Sequence, residues 1–406
     1  MYGYIAIAVF VGLLFVLLRP RFLANDIWRA TSTPLASIIG SGFLVSVPIL
    51  RNVVGSWAIV AMAALLVIAY LVGAAIRENI AYVEPLLENG NAKGPILSIE
   101  RLSQLVLTFA YFISVAYYLN LFAHFMLKPT GFGQELYINW VVTIVLITIG
   151  SVGLLRGFHA VEGLEIYAVS VKLAVIGGLL AALLLFDVSA LLGWGAGFGG
   201  ELIPVEAHFA FADLPVILGL LIVVQGFETS RFLGSTYSRE LRIRTMKLSQ
   251  AIAALIYILF FALVLPIMGA GSDSTDVAAI SDMMKPVTLI LPFFVILGAL
   301  ASQSSAALAD AMGAAGLVHE LAGKRIRINH TYPLIALVAA IVTWEADIYG
   351  LITLASRCFA LYYGFQCLIA CMSAARRKST AATLGFGALT AVCMAIVIFG
   401  IPAEGG

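Results

Sequence analysis

Twelve apolar segments, most of them near the length a helix needs to cross a bilayer, follow one another along the chain. They lie at approximately 2–18, 28–50, 54–76, 102–127, 137–155, 163–186, 210–233, 248–270, 286–312, 332–344, 348–373 and 381–401. A spanning helix takes about 20 mostly apolar residues, because hydrocarbon offers the backbone no hydrogen-bond partner. Twelve such helices use roughly 240 residues of the 406, which leaves no room for a separate soluble enzyme or receptor domain. The chain is 62% apolar and 11% charged, against about 45–50% and 25% in soluble domains. The apolar runs are continuous rather than alternating, which excludes an outer-membrane barrel. The expectation is an all-α membrane protein embedded in a lipid bilayer.

The remaining composition narrows the function by exclusion. A formal net charge of +1 gives no reason to expect a nucleic-acid partner. Cys358, Cys367, Cys371 and Cys393 sit inside apolar runs near the C-terminus, and the five histidines are widely separated. Neither set has metal-ligand spacing, so no metal centre and no cofactor are expected. No Ser/His/Asp, HExxH or paired-carboxylate arrangement stands at a plausible depth, which argues against an enzyme. The first segment lacks a basic start and a small-residue cleavage site, and Arg19 and Arg21 follow it directly. It reads as a retained helix rather than a signal peptide.

Lysines and arginines prefer cytoplasmic loops. If the loop after the first helix is cytoplasmic and the sides alternate from there, eighteen of the 23 basic residues fall on the inside. Only Arg51, Lys128 and Lys285 fall outside, while Lys172 and Arg357 remain within spans. This bias predicts twelve spans in the plasma (cytoplasmic) membrane with both termini extracytoplasmic.

Setting the first helix aside, two five-helix blocks appear, and an odd number of spans forces the second to run opposite to the first. That is a 5+5 inverted repeat, a plan in which solute sites form where matching helices of the two halves are interrupted. The predicted units are an extra N-terminal helix in 1–27, a first repeat over 28–187, a second over 208–374 and an extra C-terminal helix in 380–401. The opening helix of each repeat, first and sixth of the core, should then be broken.

Both openings carry such a signal. The first contains Ile39-Gly40-Ser41-Gly42-Phe43, and each glycine costs about 1 kcal/mol relative to alanine inside a helix. A break there would free amides near Ser41 and Gly42 that suit a carboxylate; close packing of helices through small residues is the alternative. The second contains Gln225-Gly226-Phe227-Glu228. An ionisable side chain inside a span is costly and usually functional, unless Glu228 pairs with Arg231 at the helix end.

At these residues the chain resembles the amino acid–polyamine–organocation (APC) transporter superfamily, whose first core helix commonly reads I-G-S-G-I-F and whose sixth carries a glycine–apolar–glutamate step. The basic stretch from Arg239 to Lys247 and the Lys324–Pro333 loop are similar to the family's, and Ala309-Asp310 through Gly316 is a loose echo of a third motif. The resemblance covers about residues 30–375 and implies a LeuT-like inverted-repeat fold. The extra first helix is more similar to sodium/solute symporters of the same fold. Absence of a D-P-G-N motif argues against the related divalent-metal transporters.

Lys172 lies about ten residues into its span, where a lysine normally faces the bundle interior. The resemblance implies that it stands where sodium sits in sodium-coupled relatives. Ser304 and Ser305 give the competing signal, since sodium takes hard oxygen ligands and a serine pair is how such relatives bind it. Gly195 to Gly200 satisfies G-x-G-x-x-G without the strand–turn–helix context a dinucleotide needs, so it reads as an outer loop. Tyr111, Tyr117 and Tyr118 either line a cavity or simply pack.

The resulting expectation is a secondary active transporter of a small organic solute, an amino acid or amine, that works by alternating access. Its substrate site would comprise Ile39, Gly40, Ser41, Gly42, Phe43, Gln225, Gly226 and Phe227, with Phe227 as a gate. Coupling would fall to Lys172, Glu228, Ser304 and Ser305, with H+ as the partner ion, or the carrier would run as an exchanger or uniporter. Two alternatives remain: a sodium-coupled symporter for an organic acid or sugar, with Na+ at Ser304 and Ser305, and a non-transporting membrane sensor or partner subunit.

Overall fold

The computed structural model describes residues 1–40, 42–90, 94–127, 130–193, 206–267, 284–285, 287–345 and 348–401, and no strand occurs among them. Among the described residues nine helices are long and apolar enough to cross a membrane, and a bent pair supplies a tenth such span. Helix α1 (Tyr2–Leu17) is apolar but shorter.

The bent pair is α2 (Asp26–Ile38) and α3 (Gly42–Val54). Asn25 starts α2, its side chain accepting from the Ile27 and Trp28 amides, which satisfies two of the donors a helix start leaves free. The two halves meet at 62°. Then come α4 (Ala58–Glu78), α5 (Pro95–Leu127), α6 (Glu135–Arg156) and α7 (Phe158–Leu191).

The segment from Phe211 to Leu233 is irregular. A short helix α8 (Leu214–Gly219) tightens into a 3-10 stretch (Leu220–Val224), Gln225 is extended, and a second 3-10 stretch runs over Phe227–Leu233. Helices α9 (Arg239–Val264), α10 (Leu291–Leu321), α11 (Ile328–Glu345), α12 (Ile348–Arg376) and α13 (Thr380–Phe399) complete the order.

Helices α5 and α10 pack against each other, α7 lies along α10, and α12 lies along α5. The broken segments sit within this group, with α2 against α7, α9 and α10. Helix α1 lies along α7, and the glycine at 178 permits the approach. A Cβ there would stand 2.6 Å from the Ala6 carbonyl oxygen. Tyr2 and Ser189 hydroxyls lie 2.6 Å apart at one end of this contact, and Phe10 meets Phe294 edge-on further along.

Two expectations need correction. Helices extend beyond their apolar runs: α7 begins at Phe158 rather than about 163, and α5 at Pro95 rather than about 102. The added turns carry charge that is paired across helices, so hydropathy undercounts them. Second, three residues assigned to inner loops are buried. Arg77 donates to Gln250 at 2.6 Å, Arg242 pairs with Glu84, and Arg231 pairs with Glu100 at 2.8 Å.

Candidate functional site

The first break leaves carbonyls at the end of α2 without helical partners, as every helix end does. Lys172 supplies the missing donors. From α7 its fully buried ammonium donates to Ala36 O at 2.8 Å, Ile39 O at 2.9 Å and the Ser305 hydroxyl of α10 at 2.9 Å. An ammonium has three N–H groups and no acceptor, so its capacity is used in full. The charge also stands at the negative end of the α2 half-helix dipole. Burying a lone charge is costly; here charge-assisted hydrogen bonds offset that cost.

The second break is set by backbone geometry at Gly226, where φ is +113°, a region that residues with a Cβ rarely adopt. Space forbids a Cβ as well: it would overlap the Ser37 side chain and stand 2.8 Å from the Ile38 amide. The two breaks therefore touch. Glu228 holds the turn from below. Its carboxylate accepts from the Gly226 amide at 2.9 Å, the Tyr363 hydroxyl at 2.7 Å and the Tyr111 hydroxyl at 3.3 Å. The Tyr257 hydroxyl on α9 lies 2.8 Å from Val223 O and 3.1 Å from Ile38 O, bridging the carbonyl ends of both breaks.

Between the breaks lies a cavity lined by Ser37, Gly40, Gly42, Ser114, Tyr117, Tyr118, Ile222, Val223, Gln225, Ala355 and Phe359. Beneath it the buried Asp310 of α10 accepts from Ser37 at 2.8 Å and from Ser114 at 2.5 Å. The free space is about 20 Å³, close to what one water requires. An amino-acid-sized solute enters only if these helices part.

Of the expected substrate residues, Gly40, Gly42 and Gln225 line the cavity, and Ser41 lies outside the described residues. Ile39 contributes its carbonyl to Lys172. Phe43 is buried against Tyr257 and Phe260. Gly226 forms the turn, and Phe227 is buried and stacked on Tyr363 at 5.2 Å.

Of the expected coupling residues, Lys172 and Ser305 meet. Ser304 turns back to its own helix, donating to Leu300 O. Glu228 does not pair with Arg231, which bonds instead to Glu100 and Gln366. Tyr117 and Tyr118 line the cavity and Tyr111 reaches Glu228. Gly195 to Gly200 lies outside the described residues.

Sequence reasoning missed Asp310, Ser37 and Ser114. An aspartate inside an apolar run is the signal that singles out Asp310.

A family model described as an APC superfamily transporter matches residues 20–400. The chain belongs to the APC superfamily of transporters. This APC transporter is 38% identical, over 405 residues, to an uncharacterised protein of Aquifex aeolicus (strain VF5), covering 99% of this chain and 97% of that protein. Among solved structures it is similar to the Eremococcus coleocola manganese transporter, with a TM-score of 0.58 at 14% identity over 93% of this chain and 87% of that one. A Na+-coupled sialic acid symporter, in a substrate-bound outward-open state, gives a TM-score of 0.51 at 13% identity over 98% and 96% of the chains. At these identities the likeness is one of fold.

Proposed function

We propose that this APC transporter is a secondary active carrier of a small organic solute, an amino acid or amine, coupled to protons or running as an exchanger or uniporter. In this reading ten of twelve spans form the 5+5 inverted repeat, with one extra helix at each end, and solute binds in the cavity between the breaks. Its carboxylate is assigned to the amides near Ser41 and Gly42, and its amine to Gln225, with Asp310 behind Ser37 and Ser114.

The observation that carries the reading is the Lys172 ammonium on Ala36 O, Ile39 O and Ser305. A protonated lysine fastens the α2 end to both α7 and α10; a neutral amine has one N–H fewer and lets go of part of that link. Protonation is thereby tied to the position of the broken helix, which is what alternating access must move. Sodium coupling would require the same carbonyl and hydroxyl oxygens that the ammonium occupies.

Purified protein in liposomes, given labelled amino acids and amines under imposed proton or sodium gradients, tests this. Expected is uptake that follows the proton gradient or an exchange partner, ignores sodium and loses its gradient dependence in Lys172→Ala. Sodium-dependent uptake that survives Lys172→Ala would overturn the coupling assignment. Robust binding without flux would favour a sensor or partner subunit.

A further inference from the structure

Helices α2 and α7 run alongside each other in the same direction, and polar contacts recur as a stripe at three levels along their interface. At one end Arg29 bonds to Glu162, with His159 3.2 Å from the same carboxylate. In the middle Thr33 and Ser32 donate to Glu165 Oε2 at 3.1 and 3.4 Å. At the other end Lys172 holds Ala36 O and Ile39 O. On α2 Arg29, Ser32, Thr33 and Ala36 stand at i, i+3, i+4 and i+7, and on α7 Glu162, Glu165 and Lys172 stand at i, i+3 and i+10, each set on one helix face. The stripe starts at a solvent-exposed imidazole, whose side chain is 71% accessible, and ends at a fully buried ammonium.

Glu165 is the member of this stripe that packing does not explain. It is fully buried, and among the described residues its Oε1 has no hydrogen-bond partner. Most buried carboxylates have both oxygens satisfied, because leaving one unpaired is costly in low dielectric. Glu165 lies seven residues, or about 10 Å of helix rise, from Lys172, and the two interact electrostatically. The other charged or titratable groups facing this stretch are Glu162 and His159 on α7, Arg29 on α2, Tyr237 just before α9 and Tyr332 on α11. Helix α10 contributes Ser305 beside Lys172, with Asp310 on the far side of Ser37.

We infer that Glu165 is a proton-carrying residue linking Lys172 to the surface marked by His159 and Arg29. A proton leaving the Lys172 ammonium yields a neutral amine, and its arrival on the Glu165 carboxylate yields a neutral carboxylic acid; release past Glu162 to water restores the carboxylate. The step thus separates no charge within the membrane. It rests on the reading of Lys172 as the coupling group, and it names the route by which that group exchanges with one side.

The test uses the proton itself as ligand. Full-length protein in lipid nanodiscs is titrated by infrared difference spectroscopy, following the protonated-carboxyl stretch. Expected is a titrating component that is lost in Glu165→Gln, returns at a displaced midpoint in Glu165→Asp, and moves to higher pH in Lys172→Met, where the neighbouring positive charge is gone. Unchanged carboxyl titration in Glu165→Gln would overturn the inference, as would a Glu165 component indifferent to Lys172→Met. Both readouts are independent of flux, so solute uptake absent from every liposome assay would remove the transport reading, while the carboxyl titration alone would still decide whether Glu165 and Lys172 share a proton.

Discussion

The two neighbouring serines of α10 separate packing from coupling at single-residue resolution. Ser305 accepts from Lys172, whereas Ser304 bonds only within its own helix. Ser305→Ala removes one of three acceptors from a buried ammonium and should cost about 1.5–3 kcal/mol, the range for hydrogen bonds to charged groups. Ser304→Ala should stay within about 0.5 kcal/mol of the parent. Thermal unfolding in detergent measures both, and equal losses would place the serines in one role. Gly226→Ala is a harsher case. The added Cβ meets Ser37 and the Ile38 amide at a positive φ, so strain and overlap together should exceed about 2 kcal/mol. A melting temperature within error of the parent would mean that the turn can relax.

At the scale of elements, the breaks were legible because glycine and a buried acid interrupt otherwise uniform apolar runs. Ile39-Gly40-Ser41-Gly42 and Gln225-Gly226 mark the places where α2 ends and the second segment turns. What hydropathy could not read was pairing. Glu165 falls at the very edge of the apolar run that begins near 163, yet it is an interior residue of α7. Arg231 looked like a loop cation, yet it ties the Phe227–Leu233 stretch to Glu100 of α5 and Gln366 of α12. An apolarity scale scores each residue alone and cannot know that its partner stands on another helix. The pairing has a consequence. Glu100→Ala leaves a buried guanidinium without its carboxylate, a change that costs about 3–5 kcal/mol. Chemical denaturation should show that loss, while Glu100→Gln, which keeps an acceptor, should lose less. Equal stability of Glu100→Ala and the parent would mean that Arg231 finds water in this fold.

Over the whole molecule, the distribution of positive charge carries an orientation that the helix packing alone does not. Coordinates of a helical bundle are unchanged by inverting the membrane around it; only the loops distinguish inside from outside. The loop bearing Arg376, Arg377 and Lys378 joins α12 to α13, and the Arg239 to Lys247 stretch opens α9. Both should face the cytoplasm, together with His159 and Arg29 at the mouth of the polar stripe, which would put proton exchange by Glu165 on the cytoplasmic side. Single cysteines introduced after replacing Cys358, Cys367, Cys371 and Cys393 read this directly. In intact cells an impermeant maleimide should label a cysteine at Met1 or at Gly406 and leave Ser379→Cys and Thr236→Cys unlabelled until the membrane is opened. Labelling of Ser379→Cys from outside would invert the molecule, and the stripe would then deliver its proton to the opposite compartment.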